Sequence, residues 1–266
     1  MQELKDLGLD ASSVILDAKP LPTERKRVFV LVSRLSGENS SENLKKEVVQ
    51  LADIVQKKFP QLHMEAFLGG PAGSSGSAAA PVSKIPSAQP SSASLMDEAE
   101  MVSRYHQAFS NAIAKAVRAK RLDDKDEHAF KNDRPSHLHG SLKHVSPWMK
   151  AQVDVYFLIG QALAEKRGLH DFLQEMVADV SQSCDRGRVS FGLVPTVTRS
   201  STLYHYGQRC FVPYDLIFSA HGYPIDNLSW KGVDAKSLVG NVTASTSLVV
   251  SMTPLLRALG VLCRSG

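Results

Sequence analysis

The chain has 266 residues, of which 43% are hydrophobic, and its formal net charge is +4. This length and apolar content allow a buried core in one or two domains. No apolar run approaches the roughly 20 residues that a membrane-spanning helix needs. The first ten residues include acidic side chains and no apolar signal region. We therefore expect a globular, intracellular protein without a membrane partner, and its small positive charge says little about anionic partners.

The three cysteines, Cys184, Cys210 and Cys263, are far apart and form no CxxC pair. Neither a disulfide framework nor a thiolate zinc site is therefore indicated. A loop with His128, His137, His139 and His144 raises the alternative of a histidine metal site. Because it contains no HExxH and no cysteine, we expect solvated histidines and no bound metal.

The N-terminal part of the chain predicts two strands and a helix. A short strand is indicated at 12–16. The β-branched run at 28–32 indicates a second, buried strand. Residues 42–58 have the spacing of an amphipathic helix, with leucines and valines on one face and lysines on the other.

The middle of the chain is predicted to be mainly helical. Residues 69–94 are nearly all glycine, serine, alanine and proline, so we expect a disordered linker there. Helices are predicted at 96–121, 149–166 and 170–180, and the first of them ends in a basic cluster, Lys115 to Arg121. A last helix is predicted at 245–259, kinked at Pro254.

Arg25 and Arg27 precede the second strand. Alternate side chains of an extended segment point the same way, so the two guanidinium groups would face one cleft and suit a phosphate or the polar edge of a base. On residue types alone, ordinary surface charge is the better explanation of both residues.

Four short elements occur in an order that favours the cleft interpretation of Arg25 and Arg27 over ordinary surface charge. The first is Leu21-Pro22-Thr23-Glu24-Arg25-Lys26-Arg27, and the second is Pro195-Thr196-Val197-Thr198. The third runs from Arg209-Cys210-Phe211-Val212-Pro213 to Gly222-Tyr223-Pro224, and the fourth is Leu238-Val239-Gly240-Asn241. Together they resemble the PQxRxR, PTLT, RxLTPxE…GFP and IGN elements of the C-terminal half of cytosine-5 DNA methyltransferases.

The resemblance implies an α/β fold, the C-terminal half of a Rossmann-like methyltransferase domain with a mostly helical recognition insertion. Residues 1–34 and 180–266 would belong to the core, and residues 35–179 would form the recognition region. The family binds S-adenosylmethionine and flips the target cytosine out of DNA. A nuclear, DNA-binding protein is the corresponding expectation.

The resemblance also implies roles for individual residues. Arg25 and Arg27 would support the base pocket. Gly240, Asn241 and Val242 would contact the cofactor, with Asn241 as the polar contact. Thr196, Thr198 and Arg209 would lie on the DNA side, and Gly222 would allow a close turn.

Three features that this chemistry needs are missing from the sequence. There is no Pro-Cys pair to carry the nucleophilic thiolate, no Glu-Asn-Val element before Arg25, and no glycine-rich cofactor turn. The first hypothesis is therefore half of a methyltransferase that needs a separate N-terminal half. The second is a non-catalytic remnant that binds nucleic acid or protein. The third is a helical structural domain with chance motif matches, which would lack a hairpin around 28–32 beside the last helix.

Overall fold

The computed structural model describes residues 9–24, 26–33, 40–64, 98–123, 142, 145–223 and 244–258. The chain divides into two compact units. Of the described residues, the first unit contains those up to 63, 218–223 and 244–258, and the second contains 64–217. The division with boundaries at 34 and 179, which the resemblance implied, stays a prediction. Each unit is described separately below.

The first unit is built on an antiparallel hairpin of β1 (Asp10–Asp17) and β2 (Lys26–Ser33). The register pairs Asp10 with Ser33 and continues without interruption to Asp17 and Lys26. Both predicted strands are confirmed, but the expected burial of the second strand holds for only one of its faces, because Val28, Val30 and Val32 are exposed. Because side chains alternate along a strand, the hairpin has one face with Val14, Leu16, Phe29 and Leu31 and a second face with Ile15, Val28, Val30 and Val32.

Two helices cover the first of these faces. Helix α1 (Ser41–Lys58) begins after Ser40, whose hydroxyl accepts a hydrogen bond from the Asn43 amide. Leu44 and Val48 of α1 are buried against the hairpin, together with Val250 of the last helix, α6 (Ser245–Ala258). Both helices were predicted, and Pro254 lies inside α6 as expected.

The second face of the hairpin is open to solvent, although its side chains are aliphatic. Ile15 is 67% exposed and Val28 is 64% exposed, and Val30 and Val32 are also exposed. In the described part of the chain no third strand pairs with either edge of this sheet. A strand that is apolar on both faces is typical of a sheet covered on both sides, so this face is chemically suited to burial.

The second unit contains two long helices, α2 (Glu98–Arg118) and α3 (Pro147–Arg167), which pack against each other. Ser146 caps the start of α3, with Pro147 in the first turn, and Gly168 ends it in the left-handed conformation, with φ 65°. Both helices were predicted. Ten residues of α3 are buried, which makes it the central helix of this unit.

The predicted helix at 170–180 is wrong over most of its length. Only a single turn is helical, α4 (Phe172–Glu175), and strand β3 (Met176–Asp179) follows at once. All four residues of β3 are buried. A short apolar run fits a buried strand and a buried helix equally well by periodicity.

Strand β3 is the centre of a small antiparallel sheet with the order β4-β3-β5-β6. The other strands are β4 (Val189–Phe191), β5 (Leu203–His205) and β6 (Cys210–Phe211). Met176 and Ala178 lie in the hydrophobic core that also contains Tyr156 and Ile159 of α3. A short helix, α5 (Tyr214–Ala220), follows β6.

The described residues therefore form a mixed structure of helices and antiparallel sheet, which agrees with the predicted α/β class at that level. Within them, no helix is long and apolar enough to cross a membrane.

Candidate functional site

In the first unit, three segments that are far apart in sequence meet at one place. They are residues 17–23 at the end of β1, residues 221–222 after α5, and residues 244–247 at the start of α6. Residues 17–23 and 221–222 include parts of the first and third sequence elements. Residues 244–247 follow shortly after Gly240-Asn241, which belongs to the fourth. We call their meeting point the junction.

The hydrogen bond between Thr23 and His221 links two of these segments. The hydroxyl Oγ1 of Thr23 lies 3.2 Å from Nε2 of His221, and both residues are buried. Thr23 belongs to the Leu21–Arg27 element, and His221 directly precedes the Gly-Tyr-Pro sequence. The sequence analysis did not select His221, although its place before that turn is a usable signal.

Gly222 allows the second and third segments to approach closely. Its φ is 82°, in the region that L side chains rarely adopt, and this agrees with the turn expected there. A Cβ atom on Gly222 would lie 2.1 Å from Oγ of Ser245 and 3.0 Å from Cδ1 of Leu21. A residue with a side chain is therefore excluded by both backbone conformation and space.

The start of α6 is fixed to the other two segments by hydrogen bonds. The amide of Ser245 donates to the carbonyl oxygen of His221 at 2.9 Å. The hydroxyl of Thr246 donates to the carbonyl oxygen of Ala18 at 2.9 Å. The hydroxyl of Ser247 donates to the backbone carbonyl oxygen of Asp17 at 3.2 Å. These bonds give hydrogen-bond partners to the carbonyl group of the last residue of β1 and to that of the residue after it.

A small hollow lies beside this end of α6. It has a volume of about 200 Å³ including its open mouth. Its lining includes Asp17, Lys19, Gln56, Thr246 and Ser247. Pockets that hold a drug-sized ligand or cofactor enclose about 300–1,000 Å³. The hollow is therefore too small and too open to enclose a nucleoside cofactor.

Arg27 lies on the covered face of the hairpin, directly opposite Leu16. Its Nε atom is buried and has no hydrogen-bond partner among the described residues. A buried guanidinium nitrogen without an acceptor is uncommon in folded proteins. Arg25 lies outside the described residues, so the expected pairing of the two guanidinium groups stays a prediction.

In the second unit, Thr198 belongs to a network around Asp179. The amide of Thr198 donates to Oγ of Ser201 at 2.7 Å, and that hydroxyl donates to Oδ2 of Asp179 at 2.6 Å. The amide of Thr202 donates to Oδ1 of the same carboxylate at 3.2 Å. Asp179 therefore fixes the loop that carries Thr196 and Thr198, whose side chains are exposed. The sequence analysis missed Asp179 because it fell inside a predicted helix.

Arg209 lies at the other end of β5 from this loop. It is exposed in the turn between β5 and β6 and has a φ of 53°. Thr198 precedes β5, and the strand separates the two positions by about 10 Å of backbone. The structure thus groups Thr196 and Thr198 but does not place Arg209 beside them.

Neither described cysteine has the environment of a nucleophile. Burial raises the pKa of Cys184 to about 12, and its thiol donates to Oε1 of Gln152 at 2.8 Å. Burial also raises the pKa of Cys210. A reactive thiol needs a lowered pKa, so both groups stay protonated at neutral pH.

His205, on β5, is a buried histidine that the sequence analysis did not identify. Burial lowers its pKa to about 4. Its Nδ1 accepts a hydrogen bond from the Gln208 amide at 3.1 Å, whereas its Nε2 has no partner within the described segments. The imidazole is therefore neutral at pH 7 and carries its proton on Nε2.

The expected cofactor residues Gly240, Asn241 and Val242 lie outside the described residues, as do the four histidines of the metal alternative. In the described ranges, no group of three or more His, Cys, Asp or Glu side chains is arranged to hold a metal ion.

A comparison with protein-family models gives no match, and a comparison with curated proteins gives no significant match.

Proposed function

We propose that this chain is the C-terminal half of a cytosine-5 DNA methyltransferase-like enzyme, with a Rossmann-like core completed by a second half. The second half supplies the nucleophilic cysteine, the Glu-Asn-Val element and the cofactor turn. The reaction is the transfer of a methyl group from S-adenosylmethionine to cytosine in DNA.

The observation that carries this proposal is the junction. Four short sequence elements resemble parts of one active site, and the junction contains Thr23 from the first and Gly222 from the third. It also contains the start of α6, which follows Gly240-Asn241 closely in sequence. The hairpin beside the last helix, which a chance-match domain would lack, is present as well.

Arg27 supports the proposal in a second way. It lies on the covered side of β2, and its buried Nε lacks an acceptor among the described residues. The same guanidinium group carries two further nitrogens, which would donate to a base carbonyl or a phosphate oxygen. The guanidinium group therefore suits the base-pocket role that the resemblance implies.

The reactive thiol must come from elsewhere. Cys184 and Cys210 have raised pKa values and lack the Pro-Cys context, so this chain alone should not methylate DNA.

The hollow beside α6 is smaller and more open than a cofactor pocket. In this proposal the second half builds most of the cofactor site.

The open face of the hairpin suits such an assembly. Four aliphatic side chains together expose roughly a few hundred Å², comparable with the largest apolar patch of a typical monomer, which is often functional. A stable interface between two copies needs about 800 Å² from each, so this face alone is too small to hold a dimer. A second half that adds strands to the hairpin edges and lays a helix on this face buries much more surface.

The test is a reconstituted methylation assay. This chain is mixed with an N-terminal half that carries the Pro-Cys and Glu-Asn-Val elements, labelled S-adenosylmethionine and duplex DNA. We expect methyl transfer only when both halves are present. Arg27→Ala should abolish transfer, whereas Lys26→Ala, on the opposite face of β2, should not. A mixture of folded, associated halves without activity would refute the proposal.

A second candidate function is that of a non-catalytic nucleic-acid-binding remnant. It is favoured by the basic residues at the end of α2 and in the loops near them. This candidate predicts salt-sensitive binding to nucleic acid that is independent of S-adenosylmethionine, with no methylation in the reconstituted mixture.

A further inference from the structure

The second unit brings two basic segments of the chain together. Residues 115–123 and 182–200 contain seven basic and two acidic side chains, a surplus of five positive charges. The whole chain has a surplus of only four. All other residues together are therefore close to neutral, so the positive charge of this protein is concentrated in these two segments.

Arg121 joins the two segments. Its Nη1 donates to the carbonyl oxygens of Cys184 and Gly187, at 2.5 and 2.6 Å. Its guanidinium carbon also lies 5.8 Å from the ring centroid of Tyr156, whose hydroxyl donates to the carbonyl oxygens of Gln182 and Ser183. These contacts hold the end of α2 against the 182–187 turn.

The same turn reaches the loop that carries Thr198. The side-chain amide of Gln182 donates to Oγ1 of Thr198 at 3.4 Å and to Oγ of Ser200 at 3.5 Å. Thr198, Arg199 and Ser200 are exposed there. A continuous series of contacts therefore runs from the end of α2 through the turn to the loop.

The positive side chains of this region are accessible and act together. Lys115, Arg118, Lys120, Arg186, Arg188 and Arg199 are all exposed, and we call them the basic surface. The charges of Arg121 and Lys115 both favour the Cys184 thiolate, although burial of that thiol dominates its pKa. Lys115 therefore lies close enough to the 182–187 turn for its charge to contribute to the electrostatic potential there.

Acidic side chains within the two segments compensate little of this charge, although Asp124, Asp126 and Glu127 follow the first segment directly in the sequence. Asp185 forms an ion pair with Arg186, with 3.4 Å between Oδ2 and Nε. Because Arg186 is exposed, this pair contributes little binding energy and leaves the arginine accessible. Asp123 is the other carboxylate in the two segments.

We propose that the basic surface binds the phosphate backbone of a nucleic-acid duplex. Arginine and lysine neutralise phosphates, while hydroxyl and amide side chains such as Thr198, Ser200 and Gln182 donate to phosphate oxygens. The one aromatic side chain in the two segments, Phe191, packs against the hydrophobic core, so the segments offer no stacking platform for unpaired bases. Arg121 is a positioning residue, because its donors are used within the protein.

The inference rests on the nucleic-acid partner that both candidate functions share. Its test uses the full chain and a labelled duplex DNA of about 20 base pairs without specific sequence, in a series of salt concentrations. The slope of log affinity against log salt counts the phosphates neutralised, at about 0.9 per contact. Duplex RNA and single-stranded DNA of equal length are the comparison probes.

The diagnostic variant is Arg118→Gln with Arg186→Gln, which removes one charge from each segment. We expect binding at low salt to weaken by roughly tenfold or more. The slope of log affinity against log salt should fall by about two. The matched control, Lys57→Gln with Arg104→Gln, removes two exposed charges that pair within their own helices and should change neither quantity beyond its net-charge effect.

Three results would overturn the proposal: no duplex binding at low salt, a salt slope unchanged in the diagnostic variant, or a clear preference for the single strand. Binding to both duplexes supports it, and the tighter of the two identifies the source of the phosphates. The assay contains neither cofactor nor a second polypeptide. Its failure is therefore distinct from a failure of methyl transfer.

Discussion

Oγ1 of Thr23 and Nε2 of His221 lie 3.2 Å apart although 198 positions separate the two residues in the chain. The bond joins the segment that follows β1 to the turn that precedes Gly222. Because both side chains are buried, water cannot replace either partner without opening the junction.

Thr23→Val tests the contribution of this bond. Valine keeps the shape of the side chain but removes the hydroxyl that the buried imidazole contacts. We expect the free energy of unfolding to fall by about 1–3 kcal/mol, measured by chemical denaturation. Thr253→Val is the control, because its exposed hydroxyl bonds only a carbonyl of its own helix. Equal effects of the two changes would show that the junction does not depend on Thr23.

Gly222→Ala tests the close packing at the junction. The added Cβ would be strained by the φ of 82° and would collide with Ser245, so we expect a loss of more than about 2 kcal/mol in unfolding free energy. The matched control is Gly168→Ala, where φ is also positive but no atom lies within 4 Å of the new Cβ. That change should cost only about 1 kcal/mol. Adding Ser245→Ala should restore part of the loss at Gly222, and no restoration would contradict the packing described here.

Stability should depend on pH through His205. Its folded pKa of about 4 lies below the ordinary value of 6.5, so the unfolded chain binds the proton more readily. Stability is therefore fully present above about pH 6.5 and is lost as the pH falls toward 4. Between pH 7 and pH 5 the loss should be about 2 kcal/mol.

The test of this pH effect is His205→Asn, which retains an acceptor for the Gln208 amide but does not titrate. It should flatten the stability profile between pH 7 and pH 5. His170→Asn, at an exposed position, should leave the profile unchanged. A profile that stays steep in His205→Asn would assign the pH dependence to other groups.

The open hairpin face should be dispensable for the stability of this chain and necessary for assembly. Val28→Thr with Val30→Thr changes two exposed side chains, so unfolding free energy should move by no more than about 0.5 kcal/mol for each. Association with the N-terminal half should weaken strongly, which sedimentation or calorimetry would measure. Leu31→Thr, on the covered face, should instead lower stability itself. Unchanged association in the double variant would show that the partner binds elsewhere.

The sequence predicts the long elements of this fold well. Both strands of the hairpin, helices α1, α2 and α3, and α6 with its internal proline follow from apolar periodicity and β-branched runs. The strands of the second unit could not be found in this way, because two to four residues are too few to show a period. Met176–Asp179 was assigned to a helix for the same reason.

The site was less predictable than the fold. The resembling elements contain Thr23 and Gly222, which the structure brings together with the start of α6. The residues to which the resemblance gave roles in the base pocket and at the cofactor are different ones, and of these Arg25 and Gly240 to Val242 lie outside the described residues. It could not identify His221 or Asp179, because each acts through partners that are distant in sequence. The link between Arg121 and the 184–187 turn likewise depends on tertiary contacts that no local pattern reveals.

The most direct measurement of the central claim is the rate of labelled methyl transfer to duplex DNA as this chain is titrated into a fixed amount of the N-terminal half. We predict no transfer from either half alone, a rise that saturates at one chain per N-terminal half, and almost none with Arg27→Ala. Absence of transfer from a folded, stoichiometric complex, or equal transfer without this chain, would contradict the account.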